Sequence, residues 1–135
     1  MPKYRVIKRI DFCYGHRLLN YEGKCRHFHG HNGRVEVCLA ADRLDERGMV
    51  VDFFEIKRKL KGWIEQNLDN RMILHEADPL VPVLKEMREP VFLLKENSTA
   101  ENLAKLIFEA ALKLELPVQE VRFWETPDSC ATYRP

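Results

Sequence analysis

Two stretches of alternating side chains converge on a group of histidines, and this restricts the fold more than any other feature of the chain. From Tyr4 to His16 the apolar residues Tyr4, Val6, Ile10 and Phe12 share even positions, and His16 closes the run on the same side. After Gly33, the residues Val35, Val37 and Leu39 alternate with Arg34, Glu36 and Cys38, and His31 shares the parity of the apolar set. Side chains two apart on an extended backbone point the same way, so His29 and His31 can aim two nitrogens at one ion while Gly30 puts no side chain on the other face. The first strand delivers a ligand to its own inner face, and the second begins as the histidine pair ends. With His16 the set reaches three imidazoles. Three neutral nitrogens leave tetrahedral Zn²⁺ one open position, which marks catalytic rather than structural zinc.

Of the five histidines in the chain, four (His16, His27, His29 and His31) fall in this window, together with Cys25. Two roles are open to the Cys25 thiol. It is a base or nucleophile beside an open metal, or it is a fourth ligand that closes a structural site and leaves substrate no place. His27 falls on the side of Cys25, His29 and His31 if the backbone is extended there, which makes it either a second layer around the metal or a simple loop residue. His75 lies in an acidic segment, where a surface role is the default.

At 135 residues and 45% hydrophobic composition, the chain fits one domain, residues 1–135, with a modest core. The 22 basic and 21 acidic side chains nearly cancel, so there is no electrostatic footprint for nucleic acid or an anionic membrane. A small-molecule partner is the expectation. With no apolar run long enough to span a bilayer and no signal-peptide segment, the expected location is cytoplasmic. The cysteines Cys13, Cys25, Cys38 and Cys130 are then read as reduced thiols, with Cys13, Cys38 and Cys130 as small buried or partly buried side chains.

Beyond the second strand, which a turn at Arg47-Gly48 closes, the period changes. Phe53, Ile56, Leu60, Trp63 and Ile64 recur at helical spacing, with Asp52 placed as the cap. A second helix opens at Asn97 to Glu101, where Ser98 and Glu101 have capping-box spacing, and carries Leu103, Leu106, Ile107, Ala110 and Leu114 to the stop at Pro117. Between them lie a short helix around Val83 to Met87 and a short strand at Val91 to Leu94, and a last strand runs from Val118 to about Thr126. These elements predict an α+β fold: an antiparallel four-stranded sheet with two helices packed on one face. Such a small sheet leaves edges exposed, so assembly by sheet extension into a barrel is expected.

The last strand places Val121, Phe123 and Glu125 on one face, ending an apolar row in a carboxylate. Either the strand has left the core and Glu125 is solvated, or Glu125 accepts paired N–H donors from a ligand with an amidine-like edge, such as a 2-amino-4-oxopyrimidine ring.

His16, the Cys25 to His29-Gly30-His31 spacing, Val51-Asp52-Phe53, Leu68-Asp69, Asn97 to Asn102 and Glu125-Thr126-Pro127 occur in an order that resembles the 6-pyruvoyltetrahydropterin synthase and 6-carboxytetrahydropterin synthase family over nearly the whole chain. The resemblance implies the tunnelling fold, in which trimers close their sheets into a barrel and two trimers stack as a homohexamer with active sites between subunits. It implies a zinc-dependent carbon-oxygen lyase acting on 7,8-dihydroneopterin triphosphate. The expected product is 6-carboxy-5,6,7,8-tetrahydropterin, early in the route to 7-deazapurines such as queuosine, with the pyruvoyl product as the alternative. By the same resemblance His16, His29 and His31 hold Zn²⁺ as a Lewis acid, and Cys25 is the general base. Glu125 anchors the pterin with help from Thr99, and Asp69 belongs to a cysteine, aspartate and histidine relay.

Two positions depart from that pattern. Asn70 stands where the relay histidine is usual, and an amide cannot carry a proton to and fro near neutral pH. Either His27 or His75 substitutes for it, or zinc alone activates Cys25 sufficiently, or the chain is a slow, redirected or non-catalytic pterin-binding relative. Tyr14 stands where a small residue is usual, as a packed core aromatic or as a residue narrowing the pocket.

Overall fold

The computed structural model describes residues 1–135 as a six-stranded sheet covered on one face by helices. Strands β1 (Tyr4–His16) and β2 (His29–Ala41) form a long antiparallel pair whose register sets His16 opposite His29 and Tyr14 opposite His31. The parity of the sequence thus becomes one face of one hairpin. Helix α1 (residues 53–67) follows, then β3 (Arg71–His75), the short helix α2 (Val81–Glu86), β4 (Val91–Leu94), helix α3 (Ala100–Lys113), β5 (Val118–Thr126) and β6 (Ser129–Tyr133). Across the sheet the order is β4-β3-β1-β2-β5-β6, with β3 parallel to both β1 and β4 and the other pairings antiparallel.

The expected four-stranded antiparallel sheet is therefore corrected to a six-stranded mixed one. The extra strands escape periodicity for different reasons. In β3, Met72-Ile73-Leu74 is a continuous apolar run rather than an alternation, and Ile73 and Leu74 are both buried. β6 follows β5 after only two residues and opens with the small side chains Ser129, Cys130, Ala131 and Thr132 before Tyr133.

In α1 the Asp52 carboxylate caps the first turn by accepting the Phe54 N–H at 2.9 Å. The buried side chains of this region, Ile56, Leu60, Ile64 and Leu68, repeat every four residues. An α-helix turns 3.6 residues, so such a repeat drifts by about 40° per step. A widened π turn over Lys57–Lys61 takes up part of that drift and keeps the row on the sheet. Phe53, expected on this stripe, is exposed instead.

The cap of α3 also differs from expectation. Thr99, not Ser98, is the N-cap, its hydroxyl accepting the Asn102 N–H at 3.2 Å. Ser98 is buried and its hydroxyl donates to the Ile73 carbonyl at 2.7 Å.

Both long helices pack on the even face of β1, where Ile56, Leu60, Leu103 and Ile107 meet Phe12, Val35, Val37 and Phe123 in one core. The opposite face is polar and held by cross-strand ion pairs, Arg9 to Glu36 at 3.0 Å and Arg34 to Asp11 at 2.9 Å, each joining residues directly opposite in the register. Part of that face lines an open cavity of about 840 Å³.

Candidate active site

His16 at the end of β1 and His29 and His31 at the start of β2 bring their ligating nitrogens within 4.8 Å of one another. Each Nε2 is buried and without a hydrogen-bond partner. Buried polar atoms are almost always paired, so three orphaned nitrogens aimed at one point indicate a missing common partner.

The other ring nitrogens show how the set is held. His16 Nδ1 donates to the Ser98 carbonyl at 2.8 Å, with the Ser98 hydroxyl 3.2 Å away, and His29 Nδ1 donates to the His27 carbonyl at 2.8 Å. Because a carbonyl can only accept, the proton belongs on Nδ1 and the Nε2 lone pair is free for a cation. Burial pushes the His16 pKa down to about 4, opposed by the Ser98 hydrogen bond and reinforced by His29 and His31. The imidazole is therefore neutral at pH 7, as ligation requires. Burial lowers His31 too, with Glu125 opposing and His29 adding to the shift.

The donor set thus fits Zn²⁺: three imidazole nitrogens and no thiolate among the converging atoms. Cys25 sits on a single 3-10 turn, Lys24–Arg26, and its thiol is free. It lines a cavity of about 330 Å³ together with His16, Thr99 and Glu125. Glu125 Oε1 lies 3.5 Å from His31 Nε2, at the inner end of β5. One compartment thus brings together His16 of the trio, the thiol, the helix-capping hydroxyl and the carboxylate. Glu125 is half-buried here rather than fully solvated.

Asp69 and Asn70 lie elsewhere. The Asp69 carboxylate accepts the Cys13 N–H at 3.1 Å, the Asn70 carbonyl oxygen accepts the Cys13 thiol at 2.8 Å, and both residues line the cavity on the polar face. Within one chain the sheet separates them from Cys25.

Both other histidines stand outside the converging trio. His27 is exposed and meets the metal corner only through its carbonyl oxygen, while His75 Nδ1 accepts the Ala77 N–H at 2.9 Å in a turn. Tyr14 is buried between Phe12, Phe123 and the rings of His16 and His31, as a packed aromatic whose hydroxyl has no partner. Burial, then Glu125, raises its pKa above the usual phenol value. Of the other cysteines, Cys38 is buried, Cys13 half-buried and Cys130 exposed.

Ser98 is the site residue that the sequence conceals. A Ser-Thr pair before a helix leaves the cap uncertain by one residue, and with Thr99 as cap Ser98 is free to face inward and hold His16.

A mixed sheet covered on one face, with three histidines that could hold a metal ion beside a thiol and a carboxylate, defines an α+β domain with a candidate active site. The 6-pyruvoyl tetrahydropterin synthase family model matches residues 5–135, and the chain belongs to that family of enzymes. It is 39% identical over 131 residues to a 6-carboxy-5,6,7,8-tetrahydropterin synthase of Rickettsia bellii, covering 92% of this chain and 95% of that protein. The enzyme of the same name from Aquifex aeolicus is 34% identical, with 98% of each covered. Among solved structures, an uncharacterized protein from Wolinella succinogenes superposes with a TM-score of 0.79 at 29% identity, covering 97% of both chains. The 6-pyruvoyl tetrahydropterin synthase of Caenorhabditis elegans gives 0.74 at 25% identity, covering 100% of this chain and 97% of that one. The fold is the tunnelling fold. No helix is long and apolar enough to cross a membrane.

Proposed function

We propose that the chain is a zinc-dependent carbon-oxygen lyase that converts 7,8-dihydroneopterin triphosphate to 6-carboxy-5,6,7,8-tetrahydropterin, supplying a precursor of 7-deazapurines such as queuosine in the cytoplasm. The observation that carries the carboxylated product is the name shared by the Rickettsia bellii and Aquifex aeolicus relatives, at 39% and 34% identity over almost their full lengths. Convergence of three free Nε2 atoms beside Cys25 and Glu125 supports the site.

His16, His29 and His31 would hold the zinc, and when bound it would supply Lewis-acid polarisation of the substrate's side-chain oxygens. The Glu125 carboxylate accepts two N–H bonds from the pterin edge and fixes the ring; charge-assisted pairs of this kind are directional. Thr99 keeps its hydroxyl proton while capping α3, so it can donate to the ring from the helix mouth. Cys25 takes a side-chain proton of the substrate at Sγ.

Asp69 and Asn70 act from a neighbouring subunit, because the sheet separates them from Cys25 within one chain. A homohexamer with sites between subunits would satisfy this, and would also cover the edge strands β4 and β6. Asn70 can orient a proton carrier through hydrogen bonds and cannot itself be one. This favours a second reading, a pterin-binding relative with reduced or lost turnover.

The deciding experiment incubates zinc-loaded protein with 7,8-dihydroneopterin triphosphate and identifies products by mass. Release of triphosphate with a carboxylated pterin supports the proposal. A pyruvoyl product replaces it with the sister activity, and tight binding without product establishes the second reading.

A further inference from the structure

Cys25 stands on a loop that leaves the sheet at His16 and returns at His29, two residues paired with each other in the register. The loop has one short 3-10 turn and no strand of its own, so the place of the thiol depends on what ties the loop down. The ties are gathered on three consecutive residues after the metal ligand. Leu18 N–H donates to the carbonyl of Cys25 itself at 2.8 Å. Leu19 is bound twice by one side chain: its N–H donates to Asn97 Oδ1 at 2.9 Å, and Asn97 Nδ2 donates to its carbonyl at 3.0 Å. An amide used in both senses on one residue copies a strand pairing and allows a single orientation of both partners.

Arg17 supplies the third tie. Its Nε and Nη2 donate to the two oxygens of Asp78 at 2.7 and 2.5 Å, and the Asp78 side chain is completely buried. Its guanidinium carbon also lies 4.6 Å from the centroid of the Phe28 ring, over the segment between Cys25 and His29. One planar group therefore grips both ends of the loop. Asn97 is itself fixed, its carbonyl accepting Asn102 Nδ2 at 2.9 Å, and it adjoins Ser98, which holds His16. The metal corner and the thiol thus hang from one hydrogen-bonded frame.

We infer that Asn97 and the Arg17 to Asp78 ion pair are positioning residues for Cys25, setting the distance between its sulfur and the three-histidine corner. The inference rests on the proposed role of Cys25 as base. None of these side chains belongs to the apolar core, so the frame serves the loop rather than the packing of helices on the sheet.

The test uses the full-length zinc-loaded chain with Asn97→Asp, which keeps the shape but replaces the donor to the Leu19 carbonyl with an acceptor oxygen, and Arg17→Lys, which keeps the charge but loses the fork and the flat face over Phe28. Both should lower kcat by about 10- to 100-fold, as small misplacements of a reacting group do. KM should stay within about twofold and zinc content should not change. Alkylation of Cys25 by iodoacetamide, followed by mass, should become several-fold faster as the loop loosens, and this needs no turnover. Unchanged alkylation, whether or not the melting temperature falls, marks a purely structural role and overturns the inference. A Cys25→Ala control separates the two claims: wild-type turnover without the thiol removes the base, whereas dependence on Cys25 with normal Asn97→Asp kinetics removes only the frame.

Discussion

The Nδ1 of His16 lies 2.8 Å from the carbonyl oxygen of Ser98, at a histidine only 2% exposed to solvent. This contact orients the ring before any metal arrives. The neutral tautomer is set by an acceptor that cannot rotate away, and the freed Nε2 meets those of His29 and His31 where none makes a hydrogen bond.

Metal should therefore be a major part of the stability. Zinc at about a thousand times its dissociation constant adds about 4 kcal/mol to a protein that binds it only when folded. For a chain of this length that corresponds to a rise on the order of 10 °C in melting temperature. Thermal melts with a chelator and with added zinc should show it, and His31→Ala should abolish most of the shift. Equal melting with and without zinc would remove the metal centre.

The Arg17 guanidinium holds the Asp78 carboxyl below the usual carboxylate range, with burial opposing and the Leu80 N–H assisting. The folded pKa is lower than the unfolded one. The stabilisation is thus complete above the unfolded value near pH 4, and it disappears as pH falls through the lower folded value. Denaturant titrations between pH 7 and pH 2 should show this loss, and Asp78→Asn should flatten that part of the profile. At pH 7 the same substitution leaves the partly exposed Arg17 without its anion and should cost about 1.5–3 kcal/mol, the range for hydrogen bonds to charged groups.

How much of this was legible depended on whether a residue's role showed in its neighbours along the chain. The convergence of His16, His29 and His31 was legible because parity on β1 and β2 is a property of consecutive residues, and the hairpin register turned it directly into geometry. The face that carries Glu125 was visible for the same reason. β3 was not, since a strand covered on both sides loses the alternation that reveals strands. Ser98 was hidden behind its own propensity: a serine before a helix reads as a cap, and only the packing of α3 against β1 shows that it faces a histidine. The separation of Asp69 and Asn70 from Cys25 by the thickness of the sheet depends on β3 running parallel to β1, which no local pattern encodes.

Glu125→Gln should act on binding more than on chemistry. The amide keeps the volume but loses the charge and one of two parallel acceptors. Charge-assisted hydrogen bonds contribute about 1.5–3 kcal/mol, so KM for the pterin should rise about 10- to 100-fold. Steady-state kinetics and zinc analysis check this. Loss of zinc in the variant would instead make Glu125 a support of His31, from which it lies 3.5 Å away.

The aromatic packing beneath the metal corner should tolerate no added carbon at Gly33. A Cβ there would sit 2.7 Å from Phe123 Cζ and 3.2 Å from Tyr14 Cε1, both on buried rings packed against each other. Gly33→Ala should destabilise by about 1–3 kcal/mol in chemical denaturation, the usual range for overpacking. A neutral result would mean that the rings beside the histidines can move.

Asn70 has a structural reason for being asparagine that is separate from the relay. Its φ is 58°, in the left-handed region, and its N–H donates to the Cys13 carbonyl at 2.8 Å. Asparagine, aspartate and histidine adopt this conformation more readily than other residues with a side chain. The turn is also held by Asp69, whose carboxylate accepts the Cys13 N–H, so it does not depend on the Asn70 side chain alone. Asn70→His should therefore fold normally and place an imidazole beside Asp69, whose Oδ2 already lies 3.4 Å from Asn70 Nδ2. Asn70→Ala should cost about 1–2 kcal/mol through the backbone alone. If proton transfer limits the reaction, the histidine variant should turn over about 10²-fold faster than the natural chain, with KM unchanged. Single-turnover product formation under identical zinc loading measures it. A rate equal to that of the natural chain would show that proton return at this position does not limit turnover and that Cys25 works without an imidazole there.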